Sequence, residues 1–102
     1  MQKSFTDKCY ELLAQIPPGR VTTYSEMARA AGNSKGARAV GNAMAKNPNA
    51  PQVPCHRVVK SDGSLGGYAF GLERKVELLA LEGVQVENGK VVDFENRVWE
   101  FA

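Results

Sequence analysis

The sequence has little of what marks membrane, secreted or metal-binding proteins. It contains no apolar run near the roughly 20 residues that span a bilayer, and its first residues lack the apolar stretch of a secretory signal. Two cysteines and one histidine are too few for a four-ligand zinc site. We therefore expect a cytoplasmic protein with free thiols, no bound metal and no membrane partner.

Acidic residues are missing from one long stretch of the chain. Residues 27–61 contain no aspartate or glutamate but six basic residues, and the rest of the chain carries seven bases against eleven acids. Such a separation within 102 residues is typical of a polyanion-binding face. A solvated basic surface is the alternative, and charge alone does not decide between them. The length and the hydrophobic content of 43% indicate a single globular domain over residues 1–102.

A capping-box pattern predicts the start of a first helix. Ser4 is the expected N-cap, Asp7 follows three residues later, and apolar residues then recur at helical spacing until Pro17. Cys9 falls on this apolar face. We therefore expect Cys9 to be a packed core thiol rather than a reactive one.

Two further helices form a helix-turn-helix candidate. A second capping box, with Thr23 as N-cap, predicts a helix that ends near Gly32. Asn33 or Ser34 then caps a third helix over about residues 35–46. Two short helices joined by a tight turn are typical of DNA-binding domains, although many helical hairpins bind nothing.

The expected third helix is rich in glycine and alanine. Arg38 is its main long side chain, with Asn42 as a shorter polar companion. A major-groove reader normally carries several long polar side chains, whereas this composition fits a helix pressed into a shallow groove with one projecting arginine. Tight packing of the alanines against a neighbouring helix is the alternative.

The second half of the chain is expected to contain short strands and one more helix. Residues 54–59 favour an extended conformation, and residues 84–94 predict a hairpin around an Asn-Gly turn. Trp99 and Phe101 are expected to dock the end of the chain on the core. The residues that line the fourth helix are Leu72, Val76, Leu79 and Ala80.

Cys55 and His56 are adjacent, and His56 is the only histidine. A thiolate is a strong nucleophile, and a nearby base or positive charge favours it. Neighbours on an extended strand face opposite ways, so His56 needs a water or a backbone bend to reach the sulfur. The pair alone also fits a Cys–His hydrolase, and the basic stretch alone also fits a helix-turn-helix regulator.

The segment around Cys55 resembles the active-site signature of one family, the O6-alkylguanine-DNA alkyltransferases (methylated-DNA–protein-cysteine methyltransferases). The signature segment is Pro54-Cys55-His56-Arg57-Val58. Further similar segments are Ile16-Pro17-Pro18-Gly19, Thr23-Tyr24, Ala37-Arg38-Ala39-Val40-Gly41, Asn47-Pro48, Gly67-Tyr68 and Leu78-Leu79-Ala80-Leu81-Glu82-Gly83. The resemblance implies the family's C-terminal DNA-binding and catalytic domain without the N-terminal ribonuclease-H-like domain. The implied fold is mainly α with short β-strands, a winged-helix-like helix-turn-helix domain.

The resemblance also implies a reaction and its catalytic residues. Cys55 would accept the alkyl group of O6-alkylguanine, His56 would act as base through a water, and Glu82 would orient the imidazole. The alkyl transfer would be irreversible, so that the protein reacts once and needs no cofactor. The residues implied in support are Tyr24, which donates a proton or hydrogen bond to the departing guanine, Asn47, which braces the active-site turn, and Lys75, which supports Tyr24 or the pocket.

The implied partner is double-stranded DNA containing O6-alkylguanine, bound in the minor groove by a monomer. Arg38 would enter the base stack in place of the flipped nucleotide, and Tyr68 would wall the base pocket. The other implied DNA-binding residues are Thr23, Ala37, Gly41 and Arg57. Such a protein would be cytoplasmic, and nucleoid-associated in a bacterium.

A second function belongs to the same resemblance. Alkyltransferase-like proteins are similarly short, lack transferase activity and hand the bound lesion to nucleotide excision repair proteins. Their cysteine is typically replaced, often by tryptophan. Because this sequence retains Cys55, we expect transfer activity, with the lesion sensor as the alternative.

Overall fold

A computed structural model of the chain describes residues 4–46, 54–68 and 70–101. The described helices are α1 (Phe5–Leu13), α2 (Tyr24–Ala30), α3 (Ala37–Ala45), α4 (Leu72–Leu81) and α5 (Phe94–Arg97). The described strands are β1 (Thr22–Thr23), β2 (Val58–Val59), β3 (Val86–Glu87) and β4 (Lys90–Val91). The prediction of a mainly helical fold with short strands is confirmed. None of the described helices has the length and apolar character of a membrane span.

The start of α1 agrees with the first capping box. Ser4 has an extended backbone, and its hydroxyl accepts a hydrogen bond from the Asp7 amide at 3.1 Å. Cys9 is fully buried in the core, and burial raises the pKa of its thiol to about 11. The prediction of a packed core thiol is confirmed.

α2 and α3 pack against each other across a tight turn. The Thr23 hydroxyl caps α2 by accepting from the amide three residues later, and Gly32 has a φ of 92°, both as predicted. The predicted cap of α3 at Asn33 or Ser34 is wrong, because Gly36 is the N-cap. The Asn33 side chain and carbonyl instead accept hydrogen bonds from amides of the turn before α3.

α4 does not bury all the residues that were expected to line it. Leu79 is buried as predicted, but Leu72 is 49% exposed and Ala80 is also exposed. The reason is that the fully buried Lys75 occupies the middle of the inward face, so that this face is centred on Lys75, Leu78 and Leu79.

The two β-ladders are short, and one of them joins distant parts of the chain. β1 pairs in parallel with β2, whereas β3 pairs antiparallel with β4 across the predicted Asn-Gly turn. Val58 packs in a core cluster with residues of α1, α2 and α3, while Val59 packs in a second cluster with residues of α4 and β4. Phe101 is buried in the first cluster and Trp99 packs against it, as predicted. β2 therefore lies between two cores, directly after Cys55.

Candidate active site and nucleic-acid interface

A pocket of about 840 Å³ opens between the start of α2, one face of α3 and the loop before α4. Its lining combines small residues with a few polar and aromatic side chains. The lining residues are Tyr24, Ser25, Ala37, Arg38, Gly41, Asn42, Met44, Ala45, Cys55, Lys60, Ser61, Gly66, Gly67 and Tyr68. Six of the twelve residues that the resemblance implies therefore meet at one cavity.

Cys55 lies at the start of a 3₁₀ turn, Cys55–Arg57, that leads into β2. The prediction of an extended conformation is thus wrong for the turn and right for the two residues of β2. The turn is closed by a hydrogen bond of 3.0 Å from the Arg57 amide to the Pro54 carbonyl. Cys55 is 3% exposed and lines the pocket, so its thiol is enclosed but faces a cavity. The backbone bend that the pair was expected to need is present.

The His56 side chain is buried and bonded at one nitrogen. Its Nε2 lies 3.1 Å from Glu82 Oε2, while Nδ1 is buried with no hydrogen-bond partner among the described residues. Burial lowers the pKa of His56, and the hydrogen bond and charge of Glu82 oppose this shift only in part. A neutral imidazole beside an ionised carboxylate carries its proton on Nε2. Nδ1 is then the nitrogen that can accept a proton.

Glu82, at the C-terminal end of α4, holds both His56 and Arg57. The Arg57 guanidinium donates to both carboxylate oxygens, with 2.8 Å from Nε to Oε1, and its Nη1 donates to the Ile16 carbonyl. Burial alone would raise the pKa of Glu82, but the hydrogen bonds from Arg57 and His56 outweigh it and lower the pKa. The carboxylate therefore stays ionised near neutral pH.

The geometry favours a positioning role for Arg57 over the predicted contact with DNA. Its side chain is only 13% exposed, and its donors are directed at Glu82 and Ile16. Thr23, another predicted DNA-binding residue, is buried and uses its hydroxyl as the cap of α2. Contacts of these two residues with DNA stay predictions.

Lys75 is the most deeply buried charged residue of the described chain. Its ammonium donates to the carbonyls of Val58, Leu65 and Gly67 at 2.7, 2.5 and 3.1 Å. Burial lowers the pKa of Lys75 to about 8, and a thiolate at Cys55 would oppose this shift. Lys75 thus ties the strand after the thiol to the loop that walls the pocket.

Tyr24 begins α2 and reaches across the pocket to this loop. Its hydroxyl donates a long hydrogen bond of 3.5 Å to the Gly67 carbonyl, which also accepts from Lys75. A Cβ atom at Gly66 would lie 2.8 Å from Tyr24 Oη, so the close approach of the ring requires glycine there. Burial raises the pKa of Tyr24, and the charge of Cys55 raises it further. The phenol therefore keeps its proton at neutral pH.

α3 presents an exposed arginine on a flat surface of small residues. Arg38 is exposed beside Ala37 and Gly41, and all three line the pocket. A Cβ atom at Gly41 would meet no atom within 4 Å, so this part of the surface is open. Val40 and Ala43 form the opposite, buried face of the helix, and Met44 is buried at the edge of the pocket. Small residues thus occur on both faces, and the open face is free for a ligand.

Tyr68 and two serines also form part of the pocket lining. Tyr68 lines the pocket with its hydroxyl buried, and its ring meets Phe70 edge-on at 5.7 Å. Asn47 lies outside the described residues. Ser25 and Ser61 were missed, although their hydroxyls are 3.3 Å apart at the pocket edge. Only their proximity in the folded chain marks them, because serine is common on any surface.

The chain belongs to the 6-O-methylguanine DNA methyltransferase family, whose DNA-binding-domain model matches residues 4–84. The human methylated-DNA–protein-cysteine methyltransferase is 49% identical over 83 residues, which are 80% of this chain and 40% of that protein. Among the described residues, no group of three or more histidine, cysteine, aspartate or glutamate side chains could hold a metal ion.

Two solved structures show the same fold. Atl1 of S. pombe, in complex with damaged DNA containing O6-carboxymethylguanine, has a TM-score of 0.85 at 32% identity, with 99% of this chain and 100% of that chain covered. The OGT of Mycobacterium tuberculosis, in complex with DNA, has a TM-score of 0.77 at 42% identity, with 81% and 51% covered. The chain therefore spans about half or less of the length of these transferases and all of the Atl1 chain.

Proposed function

We propose that this chain is a DNA repair protein that transfers the alkyl group of O6-alkylguanine irreversibly to Cys55. The observation that supports it most is the arrangement of one thiol at an open pocket, directly before a buried histidine that a carboxylate holds. The other thiol, Cys9, is inside the core with a raised pKa and cannot meet a substrate of any size.

The proposed step is a displacement at the alkyl carbon. The proton of Cys55 passes to His56 Nδ1, directly or through a water, and the sulfur electron pair forms the bond to carbon. The bond from carbon to guanine O6 breaks, and its electron pair stays on the guanine. Tyr24 gives a proton to this anion, and exchange with solvent restores Tyr24 and His56. The thioether is stable, so each molecule reacts once.

Lesion access requires the guanine to leave the duplex, because the thiol is enclosed within the protein. We infer that α2 and α3 act as a helix-turn-helix unit in the minor groove, with Arg38 in the place of the flipped nucleotide. The small residues Ala37 and Gly41 permit a close approach of the DNA backbone. The acid-free stretch of residues 27–61 supplies the positive charge that attracts the phosphates.

The test is intact-protein mass spectrometry after incubation with duplex DNA containing one O6-methylguanine. Wild type and Cys9→Ala are expected to gain one methyl group, mapped to Cys55, while Cys55→Ala gains none. A methyl gain on Cys55→Ala, or no gain on wild type, would reject the transfer proposal.

A lesion sensor is the second candidate, and the match to Atl1 favours it, since that match covers both chains almost completely. The same experiment separates the two functions when lesion affinity is also measured. Tight, lesion-selective binding without a mass gain would assign the protein to the sensors, with nucleotide excision repair proteins as the expected partners. Equal affinity for damaged and undamaged duplex, together with no mass gain, would exclude both candidates.

A further inference from the structure

The end of the described chain runs beside the helix that carries Tyr24. This tail segment (residues 97–101) lies beyond residues 4–84, which the family model matches. It makes hydrogen bonds to the residues before Tyr24 and to the residues after it. The function proposed for the pocket gives the tail segment no role.

On the side before Tyr24, the tail segment pairs with the backbone that leads into α2. The Val21 amide donates to the Arg97 carbonyl at 2.9 Å, and the Trp99 amide donates back to the Val21 carbonyl at 2.6 Å. The Thr22 hydroxyl then donates to the Trp99 carbonyl at 2.9 Å. The residues of β1 are thus held between β2 on one side and the tail segment on the other.

On the side after Tyr24, two residues of α2 hold both main-chain groups of Phe101. The Phe101 amide donates to Glu26 Oε2 at 2.8 Å, and Arg29 Nη2 donates to the Phe101 carbonyl at 2.9 Å. Arg29 and Glu26 are themselves paired at 2.6 Å. The Phe101 ring is buried in the core cluster that also contains Cys55.

Tyr24 therefore begins a short helix that is fixed at both ends by the tail segment. Among the described residues, its hydroxyl makes one hydrogen bond, the long one to Gly67, and lies close to Gly66. A ring held weakly at its tip depends on its backbone for its place in the pocket. Residues outside the pocket that hold this backbone can therefore determine the position of Tyr24, the proposed proton donor.

We propose that the tail segment is the element that positions Tyr24, and that Glu26 and Arg29 are its positioning residues. Neither residue touches the pocket. They act by holding Phe101, which in turn keeps α2 at the distance from the loop that lets the phenol face the departing guanine. The role in lesion recognition rests on the proposed function, whereas the placement of the ring does not.

The test exchanges the two residues, as Glu26→Arg with Arg29→Glu. The net charge and the i,i+3 pair are kept, but position 26 then presents a donor to the Phe101 amide and position 29 presents an acceptor to its carbonyl. The matched control exchanges the exposed pair of α4, as Arg74→Glu with Glu77→Arg. Arg29→Met is a milder variant that removes the donor to Phe101 together with the charge of Arg29 and its pair with Glu26, and Arg29 is 53% exposed, so that the fold is retained. Because the lost charge can itself weaken binding to DNA, the ring signals and the amide exchange are the deciding readouts for this variant.

Three readouts are taken on each variant: hydrogen exchange of the Phe101 amide, the NMR signals of the Tyr24 ring, and affinity for duplex DNA with one O6-methylguanine. The exchanged α2 pair is expected to speed the exchange about tenfold, to shift the ring signals and to weaken lesion binding about tenfold, as loss of one charged hydrogen bond would. Arg29→Met should cause the same three changes to a smaller extent. Arg29→Lys keeps a charged donor and should behave much like wild type in all three readouts. The α4 control should match wild type.

Unchanged ring signals alongside a freely exchanging Phe101 amide would overturn the proposal, as would an amide that stays protected. If wild type neither gains a methyl group nor distinguishes damaged from undamaged DNA, the proposed function fails. The ring signals and the amide exchange still decide the positioning of Tyr24 in that case.

Discussion

The inner and outer sides of the site differ in the burial of their charged groups. On the inner side, which comprises His56, Arg57, Lys75 and Glu82, the charged groups are mostly buried and bonded to other protein atoms. On the outer side, which comprises Ala37, Arg38, Gly41 and Asn42, the residues are small or exposed and face the open pocket. The inner side should therefore determine stability and reactivity together, whereas the outer side should determine binding alone.

The largest effect is expected from Glu82→Gln on the inner side. The glutamine side chain can accept hydrogen bonds only at its oxygen, whereas the Glu82 carboxylate accepts from Arg57 and His56 at two oxygens. The Arg57 guanidinium also loses its counter-charge at a mostly buried position. We expect a loss of about 3–4 kcal/mol in the free energy of unfolding, measured by urea denaturation. The control is Glu77→Gln in the exposed pair of the same helix, with an expected loss below about 0.5 kcal/mol. Equal losses in the free energy of unfolding for Glu82→Gln and Glu77→Gln would show that the buried contacts of the inner side add nothing to stability.

The pH dependence of stability should report the buried Lys75. The pKa of Lys75 is lowered from 10.5 to about 8 in the folded protein, so that between these values the unfolded chain binds the proton that the folded protein has released. The free energy of unfolding should therefore rise with pH across this window, by about 3 kcal/mol at 1.36 kcal/mol per pKa unit. Denaturation of wild type and of Lys75→Met at several pH values isolates this contribution. A difference between the two proteins that does not change with pH would contradict the prediction.

On the outer side, Arg38→Ala should weaken binding without changing stability. Loss of the arginine that is proposed to enter the base stack should lower affinity for a lesion duplex by about 1–2 kcal/mol, measured by fluorescence anisotropy at fixed salt. Lys35→Ala removes the same charge outside the pocket lining, and it should affect damaged and undamaged DNA alike. Arg38→Ala should instead reduce the preference for the lesion. Equal behaviour of the two variants would leave Arg38 as only one more phosphate contact.

The smallest effects are expected from Gly41→Ala, which should raise stability and lower the affinity for DNA. Gly41→Ala should stabilise α3 by about 0.5–1 kcal/mol, because the new Cβ meets no protein atom and helical glycine is unfavourable. The same methyl group projects from the face expected to meet DNA, and should lower the affinity for DNA. Ala39→Gly, on the same helix but outside the pocket lining, should lower stability without changing affinity. A Gly41→Ala variant with unchanged binding would show that DNA does not approach this face closely.

The sequence was sufficient for most features whose determinants are local, the cap of α3 excepted. The caps at Ser4 and Thr23 and the left-handed turn at Gly32 depend on side chains a few residues apart, and all three were predicted correctly. Cys55 and its partners His56 and Glu82 were predicted from the family resemblance. The structure places these three residues together.

What the sequence did not predict depends on contacts between distant segments. A lysine in an amphipathic helix is normally exposed, and Lys75 is buried only because carbonyls of β2 and of the pocket loop converge on it. The internal bonds of Arg57 and the hold of Glu26 on Phe101 likewise join residues far apart in the chain. The 3₁₀ turn at Cys55 replaces the first part of the expected extended segment, and the chain becomes a strand only from Val58, where it pairs with the distant β1.

The parallel pairing of β1 with β2 has a consequence for the order of folding. Two residues on each side form this ladder, and the segments that it joins are separated by α2, α3 and the whole intervening chain. Closing so long a loop for so few hydrogen bonds is entropically unfavourable until the helices between have packed. We therefore expect the neighbourhood of Cys55 to assemble late. A chain that is interrupted during folding would have native helices while the surroundings of this thiol were still incomplete.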